Sequence, residues 1–241
     1  MKNKTLVSVI IPIYNEIATF PKLLKRILDV KIKNIKLQII IVESNSDDGT
    51  REQVKLLRKK NFDIILQSKP LGKGSAVIDG LKKAKGEIIL IQDGDLEYDP
   101  SDYNSMLNPI LKNQTEFVLG ARIKRGIFGM RRFNNNIFKS FIFNFSHIFL
   151  TFSFNLLYRQ SLKDPWTCYK VFRKDCLNNI KFECLGFDFD MELICKLVKN
   201  GFKPIEIPVN YISRSHQEGK KVSIIKDGPK AVYAMLKYRL K

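Results

Sequence analysis

The sequence predicts an α/β fold with a Rossmann-like, mostly parallel central sheet and helices on both faces. Short runs of β-branched residues are continuous rather than alternating, the pattern of strands buried on both sides. Segments with helical spacing fall between these runs, and such alternation of strand and helix signals parallel pairing. Three of the runs end in Asn, Asp, Glu or Ser, and open parallel sheets bind ligands beyond the carboxyl ends of their strands.

Val7 to Ile13, broken by Pro12, reads as the first strand and Leu37 to Val42 as the second. Between them Phe20 to Val30 carries Leu23, Leu24, Ile27 and Leu28 at the spacing of one helix face. The order then repeats: Asp48 to Lys60 predicts a helix, Asp63 to Gln67 a strand, Ser75 to Lys85 a helix and Glu87 to Gln92 a strand. The second half is less regular. Glu116 to Leu119 predicts a strand, Asn134 to Tyr158 a long helix, Thr167 to Phe172 a strand, Asp190 to Asn200 a helix and Ile205 to Tyr211 a last strand. A basic tail helix, Pro229 to Arg239, follows. No repeat, low-complexity tract or linker interrupts the chain, so residues 1–241 are expected to form one domain. Tyr14-Asn15-Glu16, Glu43-Ser44-Asn45-Ser46 and Asp93-Gly94-Asp95 should then meet at one crevice.

The 241 residues are 44% hydrophobic, which excludes a disordered chain and permits a substantial core. Lys and Arg outnumber Asp and Glu by 42 to 24, and the formal charge of +18 points to an anionic partner: nucleic acid, an acidic membrane surface or a phosphorylated substrate. From Phe117 to Lys163 there is no acidic residue, and Ser140 to Leu157 carries no formal charge. Asn144, Ser146, His147, Ser153 and Asn155 make that stretch too polar for a membrane span; it predicts a buried or interfacial helix with basic flanks for lipid headgroups. Cys168, Cys176, Cys184 and Cys195 contain no Cys-x-x-Cys pair, and Met1 to Thr5 show no signal-peptide pattern. Reduced thiols and a cytoplasmic location are the expectation. His147 and His216 have no partner at ligand spacing, so one reads as a helix residue and the other as a loop residue.

Asp93-Gly94-Asp95 follows directly on the apolar run Ile88-Ile89-Leu90-Ile91. Two acids so placed repel each other unless a cation sits between them, and Mg²⁺ or Mn²⁺ is commonly shared between one or two carboxylates and a substrate phosphate. The competing reading is an Asp-Gly turn with solvated acids. Leu71-Gly72-Lys73-Gly74-Ser75-Ala76 precedes a helix, where glycines permit close backbone approach and free N–H groups attract phosphate. It has neither the spacing of a P-loop nor the third glycine of a dinucleotide fingerprint.

Together these stretches resemble a family 2 glycosyltransferase with a GT-A fold, in the dolichyl-phosphate mannosyltransferase-like branch. The resemblance runs through Val7-Ser8-Val9-Ile10-Ile11-Pro12-Ile13-Tyr14-Asn15-Glu16, Val42-Glu43-Ser44-Asn45-Ser46-Asp47-Asp48-Gly49-Thr50, Gly72-Lys73-Gly74 and Gln92-Asp93-Gly94-Asp95-Leu96-Glu97-Tyr98-Asp99-Pro100. It continues at Gly120-Ala121-Arg122, Asp164-Pro165-Trp166-Thr167 and Pro208-Val209-Asn210-Tyr211. It implies transfer of a sugar from a nucleotide-diphosphate sugar, with inversion and a divalent cation, Mg²⁺ or Mn²⁺. Residues 1–100 would be the nucleotide-sugar-binding half and 101–241 the acceptor-binding half. Pro12, Tyr14, Glu16, Glu43, Ser44, Lys73, Asp93, Gly94 and Asp95 would line the donor site. Asp93 and Asp95 would hold the metal, with Glu97 where relatives often have a third, neutral ligand. Relatives commonly read Val-Asp-Asp where this chain has Val42-Glu43-Ser44, which leaves the nucleotide base open because serine can donate as well as accept.

For the acceptor the resemblance offers two routes. A hydroxyl acceptor needs a general base, and Asp190, opening a helix in Phe187-Asp188-Phe189-Asp190-Met191-Glu192, resembles the family's catalytic aspartate. Its alternative role is to complement the helix dipole. A lipid phosphate arrives ionised and needs cations: Arg122 and the Arg131-Arg132 pair resemble the arginines that hold it in the polyprenyl-phosphate branch. Arg214, Lys220 and Lys221, on a loop with Gly219, resemble the segment that closes over the donor phosphates. Asp95, Asp190 and Arg122 are the candidate catalytic residues. The preferred acceptor is a polyprenyl phosphate, met by a cytoplasmic chain peripheral to the inner face of an acidic membrane. The trailing membrane helices common in that branch are not expected within these residues, and no nucleic-acid partner is expected. The rival class is a non-catalytic basic protein that binds membrane or nucleic acid on this scaffold.

Overall fold

The computed structural model describes residues 4–59, 61–122, 137–214, 219 and 221–240. Seven strands form one sheet: β1 (Thr5–Ile13), β2 (Ile35–Glu43), β3 (Asp63–Leu66), β4 (Ile88–Ile91), β5 (Phe117–Ala121), β6 (Lys170–Arg173) and β7 (Ile205–Pro208), in the order β3-β2-β1-β4-β6-β5-β7. All neighbours are parallel except β6, which runs antiparallel to both β4 and β5. That reversal matters for the site. Lys170, the first residue of β6, pairs with Ile91, the last of β4, and so comes beside the strand end that leads into Asp93.

The helices are α1 (Phe20–Asp29), α2 (Thr50–Leu56), α3 (Lys73–Lys83), α4 (Tyr103–Leu111), α5 (Ile137–Tyr158), α6 (Phe189–Lys199) and α7 (Ile224–Leu240). Successive residues of the central strands point to opposite cores, as the twofold period of a strand requires. Val7, Val9, Ile11 and Ile13 of β1 join α1, α4 and Val54 of α2 on one face. Ile10, Ile40, Ile89 and Ile91 join α3, α5, α6 and α7 on the other. Each fully buried side chain of this kind, Phe20 or Leu23 for instance, contributes about 1.5–3 kcal/mol relative to an exposed one.

Boundaries depart from the sequence reading where turns intervene. The helix after β2 stops at Leu56 and tightens into a 3₁₀ turn over Leu57–Lys59. The strand expected from Thr167 begins only at Lys170, and the last one ends at Pro208, beyond which Tyr211 makes an isolated bridge with Tyr98. The tail helix begins at Ile224 and contains Pro229. One element had no counterpart in the sequence reading: α4, whose helical spacing is obscured by Pro109 in its last turn.

Candidate active site

The three strand ends do converge. Asn15 follows β1 in the left-handed region at φ 48°; its backbone N–H donates to Ser46 Oγ and its side chain to Asp47. Glu16 N–H donates to Thr50 Oγ1, and Thr19 Oγ1 donates to Gly94 carbonyl oxygen at 3.3 Å. Leu96, between Asp95 and Glu97, has φ 63°, a conformation costly for a bulky side chain and typical of a turn held for function.

Four charges of alternating sign make a buried chain at the centre. Lys73 Nζ lies 2.7 Å from Asp93 Oδ1 and 2.8 Å from Asp190 Oδ2. Asp190 Oδ1 lies 3.2 Å from the ammonium of Lys170, which is fully buried and also donates to Thr167 carbonyl oxygen. Burial raises the Asp190 carboxyl, but Lys170 and Lys73 override it and hold the group below its ordinary value. Burial likewise opposes the Lys73 charge, and Asp190 and Asp93 overcome it, raising its pKa. Asp93 has Lys73 alone against burial and is raised.

The glycines around Lys73 serve packing rather than phosphate. Gly72 has φ 103°, and a Cβ on Gly74 would stand 2.5 Å from Cys184 carbonyl oxygen. The chain at 184–186 presses against this helix start, so Gly74 N–H donates to Gly186 and Ser75 N–H to Leu185 carbonyl oxygen. The expectation that these N–H groups are free for phosphate is therefore corrected. The Lys73 side chain is what reaches the site.

A second cationic group covers Asp95. Arg214 donates to both Glu16 oxygens at 3.0 Å and to Asp95 Oδ2 at 2.9 Å, and Lys221 pairs with Glu16. Glu97 accepts from Tyr211 hydroxyl and from Arg214 N–H, both at 2.8 Å. Burial beside Asp93 and Glu97, only partly opposed by Arg214, pushes the Asp95 carboxyl up to about 7. Such a surplus of negative charge suits a hard divalent cation. Among the described residues no group of three or more His, Cys, Asp or Glu side chains could hold a metal unaided. The expected set of Asp93, Asp95 and Glu97 is thus not gathered as a three-ligand cluster; Asp93 and Asp95 face Lys73 and Arg214 instead.

Arg122 follows β5 directly and forms a fork with Asp164: Nε and Nη2 each lie 2.7 Å from a carboxylate oxygen, and its backbone N–H donates to the same group. Burial raises the Asp164 carboxyl, and Arg122 reverses this to hold it well below the usual range. The guanidinium also lies over the Tyr211 ring, 5.5 Å from its centroid.

A protein-family model described as glycosyl transferase family 2 matches residues 8–181. The chain belongs to that family. Among similar proteins, dolichol-phosphate mannosyltransferase of Pyrococcus furiosus is 28% identical over 235 residues, 96% of this chain and 64% of that protein. The chain thus spans a little under two thirds of that relative. Dolichyl-phosphate beta-glucosyltransferase ALG5D of Trichomonas vaginalis is 25% identical, covering 92% of this chain and 70% of that protein. Glucosyl-3-phosphoglycerate synthase of Mycobacterium tuberculosis, solved with Mn²⁺, UDP-glucose and phosphoglyceric acid, superposes with a TM-score of 0.67 at 16% identity, over 98% of this chain and 80% of that one. At that identity the likeness concerns the fold, which is GT-A.

Ion pairs and hydrogen bonds bring Glu16, Lys73, Asp93, Asp95, Glu97, Asp190, Arg214 and Lys221 together, with Gly94 beside Thr19 and with Pro12 and Tyr14 half-buried at the end of β1. Glu43 and Ser44 are turned inward. The Glu43 carboxylate is fully buried, accepts Ser46 N–H and pairs with Arg51, while Ser44 Oγ donates to Gln67. Arg131, Arg132 and Lys220 lie outside the described residues. Lys170 and Asp164, as partners of Asp190 and Arg122, were missed in the sequence. A lysine inside the apolar run Tyr169 to Phe172 was the signal for the first, and the stretch Asp164-Pro165-Trp166-Thr167 that for the second.

Proposed function

We propose that this chain transfers a sugar from a nucleotide-diphosphate sugar to a polyprenyl phosphate, with inversion at the anomeric carbon. The donor half of the reading rests on the carboxylates of Asp93 and Asp95 at the end of β4, with Lys73, Arg214 and Lys221 beside them. Asp93 and Asp95 would hold Mg²⁺ or Mn²⁺, whose bound charge would offset that of the departing diphosphate. Lys73, Arg214 and Lys221 supply cations for the same phosphates.

The observation that carries the acceptor is the state of Asp190. Both its oxygens face ammonium groups, and two lysines keep it ionised below its ordinary range. A carboxylate so held is a poor proton acceptor, which disfavours a hydroxyl acceptor and a general-base role. An ionised phosphate needs no base: its oxygen attacks the anomeric carbon, the bond to the nucleotide's β-phosphate oxygen breaks, and nucleoside diphosphate leaves. Arg122 offers the cation, since Nε and Nη2 face Asp164 while Nη1 has no protein acceptor among the described residues. Among the described residues no helix is long and apolar enough to cross a membrane.

The test is transfer by the purified chain from radiolabelled UDP- and GDP-sugars to dolichyl or undecaprenyl phosphate, against soluble sugar acceptors. Lipid-linked product that needs Mn²⁺ is expected. Product on a sugar hydroxyl alone would overturn the acceptor assignment. Absence of metal-dependent nucleotide binding in calorimetry would overturn the enzyme reading in favour of a basic binding protein.

A further inference from the structure

The last three turns of α5 are apolar on both sides. Phe154 and Tyr158 point into the core, with their rings stacked. On the opposite side Phe149, Phe152 and Leu156, at the spacing of one helix face, are 60%, 63% and 68% exposed. A helix apolar all round normally has partners all round. The neighbouring α7, bound to it through Tyr158 hydroxyl to Met235 carbonyl oxygen and Arg239 Nε to Leu157 carbonyl oxygen, repeats the pattern. Ala234, Met235 and Tyr238 are buried, whereas Tyr233, Leu236 and Leu240 are exposed.

What covers these faces is decided by charge. On α7 the helical spacing sets the exposed Lys226 and Lys230 on the side that carries Tyr233 and Leu240, whereas Lys237 on that side is paired with Glu183. Arg159 and Lys163, both exposed, follow the end of α5, and no acidic residue occurs from Phe117 to Lys163. A second copy would bring another +18 against this surface. An anionic bilayer offers apolar depth to the Phe and Leu side chains and phosphate to the lysines, with Tyr233 at the level of the headgroups.

We infer that the outer faces of α5 and α7 are a docking surface for an anionic lipid bilayer, on which the helices lie rather than insert across it. This goes beyond the assignment of sugar transfer and does not depend on it. The experiment uses the full chain without nucleotide, in flotation with vesicles of phosphatidylcholine alone or mixed equally with phosphatidylglycerol. Binding to the mixed vesicles only, weakened by salt, is expected. The variant F149S/F152S/L156S, altered only at exposed positions, should keep the wild-type melting profile and bind at least about 100-fold more weakly, given the burial value of each lost side chain. Undiminished binding by that variant, or no binding by the wild type, would overturn the inference. So would a wild-type dimer in light scattering that the variant abolishes, which would assign the face to a second copy. Metal-dependent nucleotide binding, measured in parallel and unchanged in the variant, separates failure of this surface from failure of the transferase reading.

Discussion

Asp164→Asn tests the fork that fixes Arg122. The wild-type carboxylate is almost completely buried, meets Nε and Nη2 at 2.7 Å each, and takes the Arg122 backbone N–H at 3.1 Å. His147 Nε2 stands 3.9 Å away. Asparagine keeps the volume and one acceptor oxygen but turns an NH₂ toward a guanidinium that can only donate. Breaking a buried pair on one side costs about 3–5 kcal/mol, and the retained acceptor puts the expected loss near the lower end, about 3 kcal/mol. For a chain of this size that corresponds to a fall in Tm of roughly 6–12 °C. Thermal and urea unfolding of the purified variant are the assays, with Arg122→Met/Asp164→Leu as the companion. The double variant removes both charges and should recover most of the loss. The sign of the pH dependence follows from the lowered Asp164 pKa. The folded state holds this carboxylate ionised, so its stabilisation is present above about pH 4 and lost as pH falls further. The deficit of the variant should therefore shrink in acid. A Tm within about 2 °C of wild type at neutral pH, with no recovery in the double variant, would refute the reasoning.

Asp190→Asn should destabilise the chain by about 2–4 kcal/mol in urea unfolding, because Lys73 and Lys170 would share a neutral partner, and Lys170→Met in that background should recover part of the loss. Asp95→Asn should abolish Mn²⁺-dependent nucleoside diphosphate binding in calorimetry. It should also be more stable than wild type at alkaline pH, since a carboxylate raised to about 7 contributes stability at low pH that is lost as pH rises through that value. Gly74→Ala should cost about 1–3 kcal/mol despite the better helix propensity of alanine, because its Cβ would meet Cys184 carbonyl oxygen at 2.5 Å and Phe189 Cβ at 2.6 Å; circular dichroism melting reads it out.

The order of strands and helices was legible because strands buried on both faces leave continuous runs such as Val9-Ile10-Ile11 and Ile88-Ile89-Leu90-Ile91. The direction of β6 was not: Thr167 to Phe172 reads as a strand whichever way it pairs, and only the packing of neighbours reverses it. The same reversal hid the partner of Lys170: a lysine within an apolar run signals burial, but not that it lies beside Asp190. Asp93 and Asp95 stood out because two acids after a dry strand are expensive wherever they fall. Arg214 could be suspected as a phosphate ligand, but its three bonds to Glu16 and Asp95 join residues about 200 and 120 positions away in sequence, beyond any spacing rule.

Because β6 is threaded between β4 and β5, Asp93 and Asp95 and the Arg122 fork are carried by strands of one hydrogen-bonded sheet. Among the described residues this sheet offers no pair of jaws: one half cannot swing onto the other without tearing the ladder. On the proposed function, loading and unloading would be managed at the rim, by side chains such as Arg214 and Lys221 exchanging Glu16 for substrate phosphates. Turnover in this architecture would then be limited by how quickly those cations change hands, and it would slow or quicken with ionic strength even when the chemistry itself is untouched.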